Sequence, residues 1–197
     1  MGAIDELVER ARARARKPAA MPPEPRLRSV ILTCMDARID PVSLFGLTPG
    51  DVQVLRNAGA RATPDVLRSL ALSQAILGTR EVLVLGHTGC GLFGRTEAEL
   101  SEAIRSKSGS KPSMEMGVFK NLDEAVAHTV AELRRCPFLA HTDRIQGFVY
   151  DLEVDEVRPV GGREGRAPTN RSASPLSGLN ALRADVLDTR RNRSRKS

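Results

Sequence analysis

Residues Val30–Arg38 have the sequence V-I-L-T-C-M-D-A-R. The run of β-branched and aliphatic residues at its start is typical of a strand that is buried on both faces of a parallel sheet. It ends at a thiol, a carboxylate and a guanidinium, which are Cys34, Asp36 and Arg38. A second stretch, Val82–Cys90 (V-L-V-L-G-H-T-G-C), also begins with an aliphatic run and ends with side chains that can bind a metal, His87 and Cys90. Because the carboxyl ends of parallel strands lie at one edge of a sheet, we expect the two stretches to meet there.

The residues at the two strand ends predict a zinc site. Zn²⁺ prefers thiolate and imidazole ligands in a tetrahedral arrangement. Cys34 follows the first strand, and His87 and Cys90 follow the other. Three protein ligands leave a fourth position open, as a catalytic zinc requires. The H-x-x-C spacing alone is a weak signal, but two strand ends with matching chemistry predict bound Zn²⁺ and most simply an enzyme.

Asp36 and Arg38 add a charged pair beside the predicted ligands. The alternation C-x-D-x-R points all three side chains to one side if the backbone stays extended. Asp36 could then bind the metal, accept a proton, or be held by Arg38 in a bidentate pair that lowers its basicity. An ordinary ion pair without a catalytic role is the structural alternative.

The rest of the chain alternates between strand and helix patterns, which predicts an α/β fold. The expected architecture is a mainly parallel sheet of about four strands plus a C-terminal edge strand, flanked by helices, with an N-terminal helical arm. We predict strands at 29–33, 51–55, 81–85 and 144–154, and a connection at 39–49 that contains several turn-forming Pro and Gly residues. Capping residues predict helices that begin near Thr63, Thr96 and Asn121.

Four segments are expected along the chain. Residues 1–17 predict an amphipathic helical arm, which packs either on its own domain or on a second subunit. Residues 18–25 form a proline-rich linker, and residues 26–160 form the zinc domain. Residues 161–197 are rich in Gly, Ser and Arg, and this composition predicts a disordered basic tail.

Composition and charge narrow the class of protein. No apolar run approaches the ~20 residues that a membrane helix needs, and the charged N-terminus lacks the apolar centre of a signal peptide. These features predict a cytoplasmic protein. Three cysteines cannot form a complete set of disulfides, and in a reducing compartment they are expected to be free, metal-bound or catalytic, which agrees with that location. The tail holds nine basic and three acidic residues, whereas residues 1–160 hold 21 of each. We therefore expect no membrane partner, and no nucleic-acid partner except through the tail.

Three further residues with reactive side chains are expected to be structural. Cys136 ends a predicted helix and is expected to be a buried thiol. His128 lies within that helix and His141 in the loop after it, and both are expected at the surface, although either could relay a proton.

The combined motifs C34-x-D36-x-R38, R56-N-A-G59 and H87-T-G-C90-G91 resemble those of the β-class carbonic anhydrases. The resemblance in motif order covers roughly residues 4–160. It differs at Gly89, where close relatives often carry Asp. The tail has no counterpart in compact members, and the absence of Trp means that the Trp-containing bicarbonate site of some members does not transfer.

The resemblance implies a function and a site. It implies reversible hydration of CO₂ to bicarbonate by zinc-bound hydroxide, with Zn²⁺ held by Cys34, His87 and Cys90. The fourth position is taken by water in the active form or by Asp36 in a closed form, and the Asp36–Arg38 dyad governs that exchange.

The resemblance also bears on the substrate and on assembly. The substrate pocket is expected at Asn57, Ala58 and Gly59. Family members are dimers or larger, with N-terminal helices over the neighbouring subunit, which favours a homodimer or higher homo-oligomer here. Hydrolysis of COS or CS₂ on the same fold, and a non-catalytic zinc-binding regulator, are the alternatives.

Overall fold

A five-stranded sheet forms the centre of the computed structural model, which describes residues 2–14 and 20–161. The strand order is β2-β1-β3-β4-β5. The first four strands are parallel, and β5 is antiparallel to β4. The predicted fold class is therefore confirmed. The strands are β1 (Ser29–Cys34), β2 (Gln53–Asn57), β3 (Glu81–His87), β4 (Ile145–Asp151) and β5 (Glu156–Pro159).

Five helices lie in the described part of the chain, and most begin at the predicted caps. The Thr96 hydroxyl accepts from the Glu99 N–H, and the Glu99 carboxylate accepts from the Thr96 N–H, which completes a capping box. The Asn121 side chain accepts from two N–H groups of its helix. The helices are α1 (Ala3–Ala13), α2 (Pro41–Leu44), α3 (Pro64–Ile76), α4 (Glu97–Ser108) and α5 (Leu122–Arg135).

The connection predicted at 39–49 contains a single helical turn, α2, which the sequence interpretation did not assign. Asp40 caps the turn by accepting from the Val42 N–H at 3.1 Å. Pro41 occupies the first helical position, where its missing N–H costs nothing. The Asp-Pro pair was therefore a helix-start signal that the turn markers around it concealed.

Helices α3 and α5 both contribute side chains to a buried cluster on one face of the sheet. Val30 and Leu32 of β1 lie in this cluster and are fully buried. Val126 of α5 lies directly over two glycines of the sheet, Gly86 in β3 and Gly147 in β4. A Cβ added at either glycine would come within 2.7 Å of a Val126 methyl group. The helix therefore approaches the sheet at a distance that only glycine permits.

The other face of the sheet is only partly covered. Toward the amino ends of the strands it opens into a cleft of about 260 Å³. The cleft is lined mainly by aliphatic and aromatic side chains, among them Ile31, Phe45, Leu83 and Phe148. It lies at the end of the sheet opposite to the carboxyl ends of the strands, and so away from Cys34 and His87.

The N-terminal helix α1 has no buried residue. Ile4 and Leu7 are 77% and 65% exposed, although the sequence places them on the apolar side of the helix. The predicted end of this helix and the start of the linker fall on residues 15–19, which lie outside the described residues, as does the predicted tail from 162 onward. Among the described helices, none is both long and apolar enough to cross a membrane.

Candidate metal centre

Two neighbouring strands bring the predicted ligands together. Cys34 is the last residue of β1 and His87 is the last residue of β3, and these strands pair in parallel. Cys90 lies in the turn that follows β3. The ligand atoms of the three side chains all lie within 4.8 Å of one another, and all three residues are buried. The expected convergence of the two strand ends is therefore present.

The imidazole of His87 is oriented toward the two thiols with one nitrogen free. Its Nδ1 lies 2.9 Å from the Thr88 carbonyl oxygen, and because a carbonyl can only accept, Nδ1 carries the hydrogen. Nε2 is buried and has no hydrogen-bond partner among the described residues. A buried polar atom without a partner costs about 1–3 kcal/mol. A metal ion bound between His87 and the thiols would remove that cost.

The two thiols differ in pKa, and this difference indicates that only a nearby cation would allow both to ionise. Hydrogen bonds from the Cys90 S–H and the Gly59 N–H lower the pKa of Cys34 below its ordinary value. The Cys34 thiolate and burial raise the pKa of Cys90. One thiolate therefore forms readily, and a second would form only beside a positive charge. A divalent cation supplies that charge, so the donor set fits Zn²⁺.

Asp36 faces His87 while paired with Arg38. The pair is bidentate, with Arg38 Nε at 2.9 Å from Oδ1 and Nη2 at 2.7 Å from Oδ2. Asp36 Oδ2 also lies 4.0 Å from His87 Nε2. The hydrogen bonds from Arg38 hold the pKa of Asp36 well below its usual range, so the carboxylate is ionised at neutral pH. Arg38 is held in turn by the Gly89 carbonyl at 2.9 Å.

Arg56 fixes the backbone between Cys34 and Asp36, a role that the sequence interpretation did not assign. Its Nε donates to the Cys34 carbonyl at 3.0 Å and its Nη2 donates to the Asp36 carbonyl at 2.6 Å. Arg56 stands at the end of β2, beside β1. Its place in the R-N-A-G motif was the available signal, but the partner strand could not be known before the sheet order was.

The segment Asn57–Gly59 lies beside the metal centre, but its members face different partners. The Gly59 N–H points at the Cys34 sulfur at 3.4 Å. The Asn57 side chain donates to the Arg61 carbonyl and accepts from the Arg61 N–H, so it closes its own turn. Ala58 is exposed. Their predicted contact with substrate stays a prediction.

The other residues singled out in the sequence lie elsewhere. Cys136 is buried at the end of α5, as expected. His128 pairs with Glu132 at 3.1 Å on the surface of α5. The backbone of His141 exchanges two hydrogen bonds with the Gln74 side chain, so this segment is fixed to α3 rather than to the metal centre.

Known proteins with this arrangement identify the family. A model of the carbonic anhydrase family matches residues 29–107. Beta-carbonic anhydrase 1 of Mycobacterium tuberculosis is 37% identical over 143 residues, which are 73% of this chain and 86% of the relative. The chain belongs to the β-carbonic anhydrase family. It is therefore an enzyme of the carbonic anhydrase type.

Two further similarities mark the range of that family. The structure of a carbonic anhydrase from Streptococcus mutans aligns with a TM-score of 0.77 at 35% identity, covering 82% of this chain and 99% of that one. A carbon disulfide hydrolase from Acidianus is 32% identical over 154 residues, which are 65% of this chain and 74% of the relative. The β-carbonic anhydrase fold thus includes relatives named for CO₂ and for CS₂ chemistry.

Proposed function

We propose that this protein catalyses the reversible hydration of CO₂ to bicarbonate and a proton at a Zn²⁺ held by Cys34, His87 and Cys90. The proposal rests mainly on the buried Nε2 of His87, which has no hydrogen-bond partner in the described part of the chain and lies within 4.8 Å of two buried thiol sulfurs. Zn²⁺ bound there would act as a Lewis acid and would lower the pKa of a bound water from about 15.7 to about 7. The surrounding residues hold the ligands in their metal-binding form and control access to the metal.

The first task of the protein is to hold the ligands in their metal-binding form. The Gly59 N–H stabilises the Cys34 thiolate. The Thr88 carbonyl keeps the hydrogen of His87 on Nδ1 and leaves the Nε2 lone pair available. The Arg56 guanidinium fixes the carbonyls on either side of Met35, so that Cys34 and Asp36 keep their relative positions.

The second task falls to the Asp36–Arg38 pair, which we propose controls access to the metal. In the described geometry Arg38 turns both carboxylate oxygens of Asp36 toward itself. Because its pKa is low, the Asp36 carboxylate is a poor proton acceptor. It is suited instead to accept a hydrogen bond from the nucleophile and so to orient it. If Arg38 released this carboxylate, Asp36, whose Oδ2 lies 4.0 Å from His87 Nε2, would be free to bind a metal held by His87 and so to close the site.

We infer that CO₂ binds beside Gly59, with Asn57 and Ala58 forming the adjacent wall. The Gly59 N–H already lies at the metal centre, and Leu92 packs against Gly59 so closely that an added Cβ would be 2.9 Å from its Cδ1. A small apolar molecule would therefore meet an aliphatic side chain on one side and backbone N–H groups on the other.

Hydrolysis of CS₂ is the second candidate, because the Acidianus relative is named for it and the same three ligands would serve both reactions. Side-by-side turnover of CO₂ and CS₂ by the zinc-loaded protein separates them. We expect CO₂ hydration to exceed CS₂ hydrolysis in kcat/KM. Turnover of CS₂ without CO₂ hydration would overturn the proposed function in favour of the alternative.

We propose that the protein assembles as a homodimer or higher homo-oligomer through α1. None of the residues in 2–14 and 20–161 covers the apolar side of α1 or fills the cleft on the sheet face lined by Phe45, Leu83 and Phe148. A second copy would cover both surfaces. Replacing Ile4 and Leu7 by Ser should lower the mass measured by sedimentation, whereas replacing Glu6 and Arg10 on the polar side should not. A monomeric wild type would contradict the assembly.

The domain limits 1–17, 18–25, 26–160 and 161–197 remain predictions, and we infer a cytoplasmic location from the three free thiols. We propose that the basic tail, residues 161–197, does not bind nucleic acid. Salt-dependent DNA affinity that disappears when 161–197 is deleted would contradict this proposal.

A further inference from the structure

The hydrogen-bond ladder between β3 and β4 changes character at Thr88, one residue beyond His87. The Val82 N–H donates to the Arg144 carbonyl at the start of this ladder, and the Thr88 N–H donates to the Tyr150 carbonyl at its end. In a regular parallel ladder, a residue whose N–H donates to residue 150 of the neighbouring strand accepts, through its carbonyl, from the N–H of residue 152. The Thr88 carbonyl would therefore be expected to accept from the Leu152 N–H. In this protein the Leu152 N–H is bonded instead to the Thr88 hydroxyl, at 2.9 Å.

The substitution of a hydroxyl for a carbonyl leaves the Thr88 carbonyl free for another donor. That donor is Nδ1 of His87, at 2.9 Å. The hydroxyl has a second contact, because Asp151 Oδ1 lies 3.4 Å away and can accept its hydrogen. Asp151 is itself fixed by the Glu153 N–H at 2.9 Å. Both functions of one hydroxyl thus tie the turn after β3 to the end of β4.

We propose that Thr88 is a positioning residue for the metal centre, acting through His87. By occupying the Leu152 N–H, its hydroxyl allows the Thr88 carbonyl to hold the imidazole with the hydrogen on Nδ1 and the Nε2 lone pair toward Cys34 and Cys90. The inference rests on the proposed metal centre, but not on the identity of the substrate. Its basis is that the Leu152 N–H donates to the Thr88 hydroxyl instead of to the Thr88 carbonyl.

Losing the hydroxyl removes the acceptor of the Leu152 N–H. This N–H must then stay unpaired, at a cost of about 1–3 kcal/mol, or draw the Thr88 carbonyl toward the end of β4. A carbonyl that moves toward Leu152 no longer holds His87 Nδ1 in the same direction, and the imidazole is then free to turn. Groups that orient a metal-ligating histidine typically contribute about 10- to 100-fold to metal affinity. The loss should therefore appear in metal affinity before any measurement of turnover.

The test compares Thr88→Val, which keeps the shape, with Thr88→Ser, which keeps the hydroxyl. Thr79→Val is the control. Thr79 is a buried threonine whose hydroxyl is hydrogen-bonded to Ser73 at 2.6 Å, but it precedes β3, at the opposite end of the strand from His87. Zn²⁺ affinity is measured on each full-length protein by competition with a chelator. The absorption spectrum of the Co²⁺ form reports the coordination geometry, and urea unfolding of each protein reports its stability.

We expect Thr88→Val to bind Zn²⁺ about 10- to 100-fold more weakly, with an altered Co²⁺ spectrum. Thr88→Ser should have the Zn²⁺ affinity and the Co²⁺ spectrum of wild type. Thr79→Val should lose stability without losing metal affinity. Equal affinities in wild type and Thr88→Val, or equal losses in Thr88→Val and Thr79→Val, would overturn the inference while leaving the proposed function standing. If Thr88→Val does not fold, weaker metal binding by Thr88→Ser than by Thr79→Val would overturn it. A wild type that binds no Zn²⁺ would overturn both proposals.

Discussion

Replacing Gly147 by Ala should destabilise the protein through a single identifiable overlap. The added Cβ would lie 2.7 Å from Val126 Cγ1 and 3.2 Å from Val130 Cγ2. Carbon atoms in contact are normally about 3.5–4.0 Å apart, so the first of these distances is short by about 1 Å. Helix α5 must shift or Val126 must leave its rotamer. Such overpacking costs about 1–3 kcal/mol, which exceeds the gain of about 0.4–1 kcal/mol from restricting the unfolded chain.

The overlap can be tested by removing its other partner. Val126→Ala alone deletes two buried methyl groups and should cost about 1–3 kcal/mol. In the double variant the new Cβ of residue 147 occupies space that a Val126 methyl group has left. We therefore expect the double variant to be more stable than the sum of the single changes by about 1–2 kcal/mol.

Equilibrium urea unfolding at one fixed chain concentration measures all three variants. Gly91→Ala is the control, because nothing lies within 4 Å of an added Cβ there and its backbone is not left-handed. Its stability should stay within about 1 kcal/mol of wild type. A stable Gly147→Ala protein, or strictly additive single and double changes, would refute the close approach of α5 to the sheet.

Three further predictions concern charge and pH. Arg26, with help from Thr48, lowers the pKa of Asp51 to about 2 from its ordinary 3.8, so this carboxylate stabilises the fold above pH 3.8 and loses that effect as the pH falls toward 2. The difference in urea midpoint between wild type and Asp51→Asn should thus be full at pH 7 and vanish near pH 2, and a constant difference would contradict the pairing. Arg38→Ala should keep its zinc but lose about 100-fold in kcat/KM, because Asp36 is no longer held in place; unchanged CO₂ hydration would exclude the proposed dyad. Wild-type CO₂ hydration should rise between about pH 6.5 and 9, and a flat profile would contradict a metal-activated water.

The convergence of the ligands could be predicted because it depends on periodicity and on one rule of topology. Val30–Thr33 and Val82–Leu85 both have the pattern of doubly buried strands, and parallel strands end at a common edge. Their order in the sheet did not need to be known for Cys34 and His87 to meet. The predicted caps at Thr96 and Asn121 were found for a similar reason, since capping is local in sequence.

The contacts that hold the ligands could not be predicted, because they depend on which strands are neighbours. Arg56 reaches the Cys34 carbonyl only because β2 lies beside β1. Thr88 engages Leu152 across 64 residues, at a point fixed by the register of β3 on β4. Arg56 and Thr88 both lie within motifs that the sequence shows, but their contacts with the ligand segments depend on distances that only the folded sheet provides.

Stopped-flow CO₂ hydration with zinc analysis on the same samples will show whether the protein is a zinc enzyme that hydrates CO₂ through Cys34, His87 and Cys90. Wild type, Cys90→Ala and Cys136→Ala should be compared, because Cys136 is a buried thiol outside the metal centre. We expect one zinc per chain and CO₂ hydration in wild type and Cys136→Ala, and loss of both in Cys90→Ala. A folded wild type that hydrates CO₂ without zinc, or a Cys90→Ala protein that keeps its zinc and its activity, would contradict this expectation.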